Sequence, residues 1–173
     1  MDKPPCPAKV DLSMRFLNFS LGIPTGEISV QADGLDWDLH NLADFSGLTV
    51  GTDGTATLEW RVYPNPYRPA DHRFSGCALI FRGLTFLKIG GRDPEMPADE
   101  DLTLDGISRV TPDATTPERT RDEWAPETPF HLLFVFLGGL SIEIAADEAE
   151  FRARPKVVVE QPKGRRKKPV KSV

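Results

Sequence analysis

The stretch Phe130–Ala145 constrains this chain more than any other. Two apolar runs, Phe130–Leu137 and Leu140–Ala145, flank Gly138-Gly139. Two glycines between β-prone runs suit a two-residue type I′ turn, whose central residues both need positive φ. The stretch therefore predicts an antiparallel hairpin. A two-residue loop sets Leu137–Leu140, Val135–Ile142 and Leu133–Ile144 on one face. It sets Phe136–Ser141, Phe134–Glu143 and Leu132–Ala145 on the other. The first face is wholly aliphatic and is the expected core, because register follows the buried face.

Most of the remaining pattern also reads as strands. Leu12–Phe19 alternates at Leu12, Met14 and Phe16, and Glu27–Ala32 follows a turn at Pro24-Thr25-Gly26. Leu35, Trp37 and Leu39 alternate, yet Leu35, Leu39 and Leu42 share a face at helical spacing. Residues 35–45 thus read as a strand or as one short helix. Leu48–Gly51 and Ala56–Tyr63 form a second hairpin around Asp53-Gly54. An odd-length loop pairs Val50 with Leu58 and Leu48 with Trp60, which keeps the apolar sets together. Cys77–Ile89 is the longest strand signal, and its alternation changes parity at Gly83, a bulge candidate. Leu102–Val110 is a further strand, and Glu148–Arg154 reads as a final edge strand ended by Pro155. The expected fold class is mainly β, antiparallel and β-sandwich-like, or α+β if 35–45 is the short helix.

The expected organisation is a disordered leader over 1–11, a single β-rich domain over 12–154 and a basic disordered tail over 155–173. The longest apolar run, Leu132–Leu137, is far too short to span a bilayer. No apolar stretch follows a basic start at Met1, so a cytoplasmic location is expected. Cys6 and Cys77 fit no metal spacing, and a disulfide between them is not expected. Charge is split along the chain. From Arg152 to Val173 nine Lys/Arg face one Glu, so Met1–Phe151 carries about −13 of a total of −5.

Five constellations are candidates for chemistry. On a strand, Asp36, Asp38 and His40 share a face and could converge on a divalent metal; the competing reading is a solvated face opposite Leu35, Trp37 and Leu39. The loop bearing Asp93, Glu95, Asp99, Glu100, Asp101 and Asp105 is acidic. Pro94 and Pro97 interrupt any calcium-loop spacing, and Asp99, Glu100 and Asp101 are candidates for contact with a protein. Asp71-His72 is a possible acid–base pair, whereas His131 opens an apolar strand and reads as a satisfied core or edge residue. Trp124, in a proline-rich loop, is a candidate partner anchor or a pin for that loop. Arg165, Arg166, Lys167 and Lys168 would bind phosphates by counterion release, although no aromatic residue interleaves them to stack bases.

No nucleophile elbow, phosphate-cradling loop or dinucleotide fingerprint is present, and no cofactor is expected. The layout of a short acidic β-rich body with paired hairpins is similar to small bacterial immunity-type and accessory proteins. That similarity implies a protein-binding module whose acidic surface engages another protein, a basic one on charge grounds. The alternatives are nucleic-acid association through the tail and a metal-dependent enzyme using Asp36, Asp38, His40, Asp71 or His72. An enzyme ranks below a binding module.

Overall fold

Asp33 and Gly34 both sit at positive φ, 53° and 73°, and Ala32 pairs with Leu35 across them. This is a two-residue hairpin turn of the kind that matches strand twist. It makes Ser29–Ala32 (β3) and Leu35–Asp38 (β4) antiparallel partners. The short helix considered for 35–45 is therefore not formed. Trp37 and Leu39 go into the core while Asp36 stays exposed, so alternation prevails over helical spacing in this segment.

The computed structural model describes residues 14–22, 26–63, 73–111 and 129–156. The leader over 1–11, the stretch with Asp71 and His72, the loop with Trp124 and the basic cluster Arg165–Lys168 lie outside these residues. The remaining strands are β1 (Arg15–Phe16), β2 (Phe19–Ser20), β5 (Ala43–Val50), β6 (Thr55–Val62), β7 (Phe74–Gly90), β8 (Leu104–Val110), β9 (His131–Phe136) and β10 (Ser141–Pro155). The fold is mainly β. A large sheet runs β5-β6-β7-β10-β9-β8, with β1 parallel to β10, and a small sheet runs β2-β3-β4.

Two long strands, β7 with 17 residues and β10 with 15, pass through the whole of the large sheet. Their buried positions change parity at the same level. In β7, Cys77, Leu79 and Phe81 are buried, and the next inward side chain is Leu84. In β10, Ile142, Ile144 and Ala146 are buried, and then Ala149 and Phe151. This shared corner lies between the pairs Ala146–Leu84 and Glu148–Arg82. Gly83 stands there at φ 66°, with the Asp147 carboxylate where its side chain would be. The extra residue of the bulge is Thr85, since Ala145 pairs with Phe86 and Ala146 with Leu84. Gly83 thus supplies the left-handed backbone that admits the bend, and the bulge itself lies two residues further on.

At the corner the sheet curls, a known way for one sheet to become two packed layers. The first half contains β5, β6, the start of β7, the end of β10 and β1. The second contains the end of β7, the start of β10, β9 and β8. Their inner faces meet through aromatic rings. Phe45 lies 4.6 Å from Phe136, Trp60 6.3 Å from Phe134, and Phe81 6.2 Å from Phe134 in an edge-on contact. The small sheet closes one side. Trp37 packs 4.9 Å from both Phe74 and Phe151, and Glu27 exchanges two backbone hydrogen bonds with Ile107 of β8.

The Gly138-Gly139 hairpin forms, with a corrected register. Val135 pairs with Ser141, Phe134 with Ile142 and Leu132 with Ile144. The loop holds three residues: Gly139 N–H donates to Phe136 O, Phe136 N–H donates to Leu140 O, and Gly139 sits at φ 84°. A one-residue slip moves a whole strand face. Leu132, Phe134 and Phe136 therefore line the core, while Leu133 and Val135 face outward. The physical reason is area. Each aromatic ring removes about 150–250 Å² from water, so the face with two phenylalanines outbids the aliphatic face that the two-residue loop would have buried.

The other hairpin keeps the expected odd loop and a shared apolar face. Its register differs, with Leu48 opposite Leu58 and Val50 opposite Ala56, and a bulge between Phe45 and Gly47. The expected edge strand Glu148–Arg154 is the second half of β10 rather than a separate strand; it pairs with β7 along its length, and on its other side β1 pairs with it at Glu148 and Ala149 and the Asn18 side chain at Phe151.

Candidate functional site: an open strand edge

β6 and β7 pair from Thr55–Arg82 to Arg61–Gly76. Beyond Arg82 only one further bond joins β7 to that hairpin, from Leu84 N–H to Gly54 O. The Asp53-Gly54 turn ends β6 there, and β7 continues to Gly90. Its side away from β10 carries no strand from Thr85 to Gly90 among the described residues. Six residues at ~3.3 Å each leave about 20 Å of unpaired backbone donors and acceptors.

The side chains along this edge are apolar and accessible. Phe86 is 37% exposed and Ile89 58% exposed. They lie on opposite faces of the strand, with Leu87 half-buried between them and Lys88 exposed. Lys88 is the one cation on the edge. Carboxylates stand at both ends. Exposed Asp53 and Asp147 lie beside Leu84 and Gly83, and exposed Asp93, Glu95 and Asp99 follow Gly90. The Asp53 carboxyl is held below its ordinary range, chiefly by the Thr55 hydroxyl donating to it at 2.7 Å and then by the Thr55 N–H.

Behind Phe86 lies a polar pair on the outer face. His131 Nδ1 is 2.7 Å from Glu143 Oε1, with side chains only 12% and 6% exposed. The Phe86 ring rests 4.5 Å from the imidazole. His131 is thus a satisfied residue at the start of its strand, as its position in the pattern suggested. Glu143 carries the partner that a buried charge requires.

The acidic residues singled out from the sequence are placed as follows. Asp99, Glu100 and Asp101 belong to a one-turn 3-10 helix, Ala98–Leu102. That turn is docked on the β9–β10 loop: Gly138 N–H donates to Glu100 O and Leu137 N–H to Thr103 O. Asp101 accepts from Arg92 Nε at 2.6 Å. Asp36 accepts from Gln31 Nε2 at 2.8 Å, and Asp38 accepts from the backbone and side-chain nitrogens of Asn41. His40 Nδ1 sits 2.5 Å from Leu104 O. β4 ends at Asp38, so the His40 ring turns toward β8 rather than continuing the row of Asp36 and Asp38. No group of three metal-ligating side chains is assembled among the described residues.

The open edge was not singled out from the sequence, and the signal for it is a mismatch of lengths. The strand run over Cys77–Ile89 outlasts the Ala56–Tyr63 run that pairs with it. No helix among the described residues is long and apolar enough to cross a membrane. Compared with known protein families, with curated proteins and with solved structures, the chain matches none of them.

Proposed function

We propose that this protein is a binding module that captures an extended segment of another protein along the outer edge of β7. The observation that carries the reading is the outer side of Thr85–Gly90, paired by no strand among the described residues, with Phe86 and Ile89 exposed upon it. An exposed edge offers main-chain hydrogen bonds for affinity and alternate side chains for specificity. Proteins blunt such edges when they have no use for them. Among the described residues, the other edges of the large sheet are interrupted: Glu27 bridges to β8, a bulge breaks β5 between Phe45 and Gly47, and β1 with the Asn18 side chain covers β10 from Glu148 to Phe151. The β7 edge has one lysine as its only guard.

The test is a double substitution at exposed positions, Phe86→Lys with Ile89→Lys, assayed against an array of ten-residue peptides of alternating valine and threonine. Peptide capture by the natural protein and its loss in the double variant is the expected result. Equal capture by both proteins would remove the edge from consideration.

A further inference from the structure

We infer that the segment this edge accepts is cationic at both ends and apolar at alternate central positions, which deepens the strand-capture reading and rests on it. The electrostatics of the edge are polarised along its length. At the Leu84 end, Asp53 and Asp147 are exposed, and Thr55 keeps Asp53 ionised by hydrogen bonding. At the Gly90 end, Asp93, Glu95 and Asp99 are exposed. The nearby Arg92 does not offset them, because it is committed to Asp101 and to the Met96 carbonyl. Lys88 occupies the middle.

A strand lying along this edge meets three zones. Its ends lie near carboxylates about 20–30 Å apart, a spacing of roughly six to nine extended residues. Its centre faces Lys88, where a second cation directly across would be repelled. Its side chains on one face cover Leu87 with Ile89, where apolar residues at alternate positions are favoured, and on the other face they meet Phe86 and Lys88, where threonine presents both a methyl and a hydroxyl group. A segment such as Lys-Lys-Val-Thr-Val-Thr-Lys-Lys meets all three requirements, and the acidic body as a whole, near −13, attracts it at long range. The same charge disfavours a second copy of the acidic body as the occupant.

Three fluorescein-labelled octapeptides test this on the full chain by anisotropy, at 50 and 300 mM salt. They are Lys-Lys-Val-Thr-Val-Thr-Lys-Lys, the same core with glutamates in place of the lysines, and Lys-Lys-Val-Pro-Val-Pro-Lys-Lys. The first peptide should bind at least tenfold more tightly than the glutamate form, weaken at 300 mM salt, and lose binding in the Phe86→Lys, Ile89→Lys protein. Equal binding of the lysine and glutamate peptides, both lost in the double variant, would overturn the charge preference and leave strand capture standing. Equal binding of the proline peptide would mean charge adhesion without strand pairing and would overturn both. A drop in the lysine preference on Asp53→Asn with Asp93→Asn would tie it to the two ends, whereas an unchanged preference would refute that assignment.

Discussion

Asn18 offers the sharpest test of how the second half of β10 is held. β1 ends at Phe16, and Leu17 N–H still donates to Ala149 O. The next backbone link to β10 is made by a side chain. Asn18 Nδ2 donates to Phe151 O at 2.8 Å, and Phe151 N–H donates to Asn18 Oδ1 at 2.9 Å. The amide therefore copies a peptide group and extends β1 pairing past the point where the backbone turns away. Phe151 is 1% exposed, so both of its peptide groups depend on this one partner on that side. Asn18→Ala would orphan a donor and an acceptor. Each costs about 1–3 kcal/mol if no water replaces the amide, so a loss of about 2–6 kcal/mol is expected.

That loss is measurable by urea unfolding followed by circular dichroism, with the slope unchanged and the midpoint lowered. At ~2–4 °C per kcal/mol for a chain of this size, the melting temperature should fall by about 4–24 °C. Asn18→Asp separates the two bonds. It retains an acceptor for Phe151 N–H but sets a carboxylate against Phe151 O, so it should destabilise at least as much as alanine despite being isosteric. Amide hydrogen exchange at Phe151 gives the local readout. Less than about 0.5 kcal/mol lost in Asn18→Ala, with Phe151 exchange unchanged, would refute the view that this side chain substitutes for a strand.

Other expectations follow from single contacts. An added Cβ at Gly76 would lie 2.5 Å from Trp60 O on the neighbouring strand, so Gly76→Ala should force β6 and β7 apart and lower the melting temperature more than Gly91→Ala, where space is open. Gly139→Ala places a side chain at φ 84° and should cost about 1–2 kcal/mol, read from the same urea transition. Burial pushes the Cys77 thiol up to about 12; in Cys6→Ser protein, a disulfide reagent at pH 8 should label nothing when folded and one equivalent in urea. Hydrogen bonds from Arg152 and then Arg82 hold the Glu150 carboxyl below its ordinary 4.5. Its contribution to stability is thus complete above that value and lost as pH falls through the lowered one, so Glu150→Gln should flatten the acid limb of an unfolding-versus-pH curve.

Much of the fold was legible from local chemistry, and the places where it was not have physical causes. Alternation identified the long strand at Cys77 and the hairpins at Asp53-Gly54 and Gly138-Gly139. It failed on register at Gly138-Gly139, because the turn residues admit both a two-residue and a three-residue loop. Only the competition between faces decides that case, and the ring area of Phe134 and Phe136 outweighs the evenness of the aliphatic row. The helix–strand ambiguity over 35–45 had a resolving signal in the Asp33-Gly34 dipeptide. Placed between alternating runs, that dipeptide marks a hairpin and commits Leu35 to a strand. Glu148–Arg154 looked like a separate edge strand because the parity break at Asp147 resembles a boundary. It is the corner of one continuous strand, and its counterpart in β7 is the break at Gly83.

The candidate site is a property of neither strand alone. Thr85–Gly90 has the composition of an ordinary inner strand, and nothing in those six residues announces an edge. Exposure arises because β6, with eight residues, stops at its turn while β7 runs on to a total of seventeen. The stop is dictated locally: Asp53 binds Thr55 through both the hydroxyl and the N–H, and Gly54 takes φ 76°, so the hairpin can begin no earlier. The overhang follows from that turn together with the bend at Gly83, which carries the rest of β7 away from the first half of the sheet. Lengthening the β5–β6 hairpin by four alternating residues on each side of the turn extends the antiparallel register from the Thr55–Arg82 pair and should cover Gly83 to Phe86 with backbone. If strand capture is the function, that insertion should remove peptide binding without touching Phe86 or Ile89, whereas binding that survives would have to come from side chains alone.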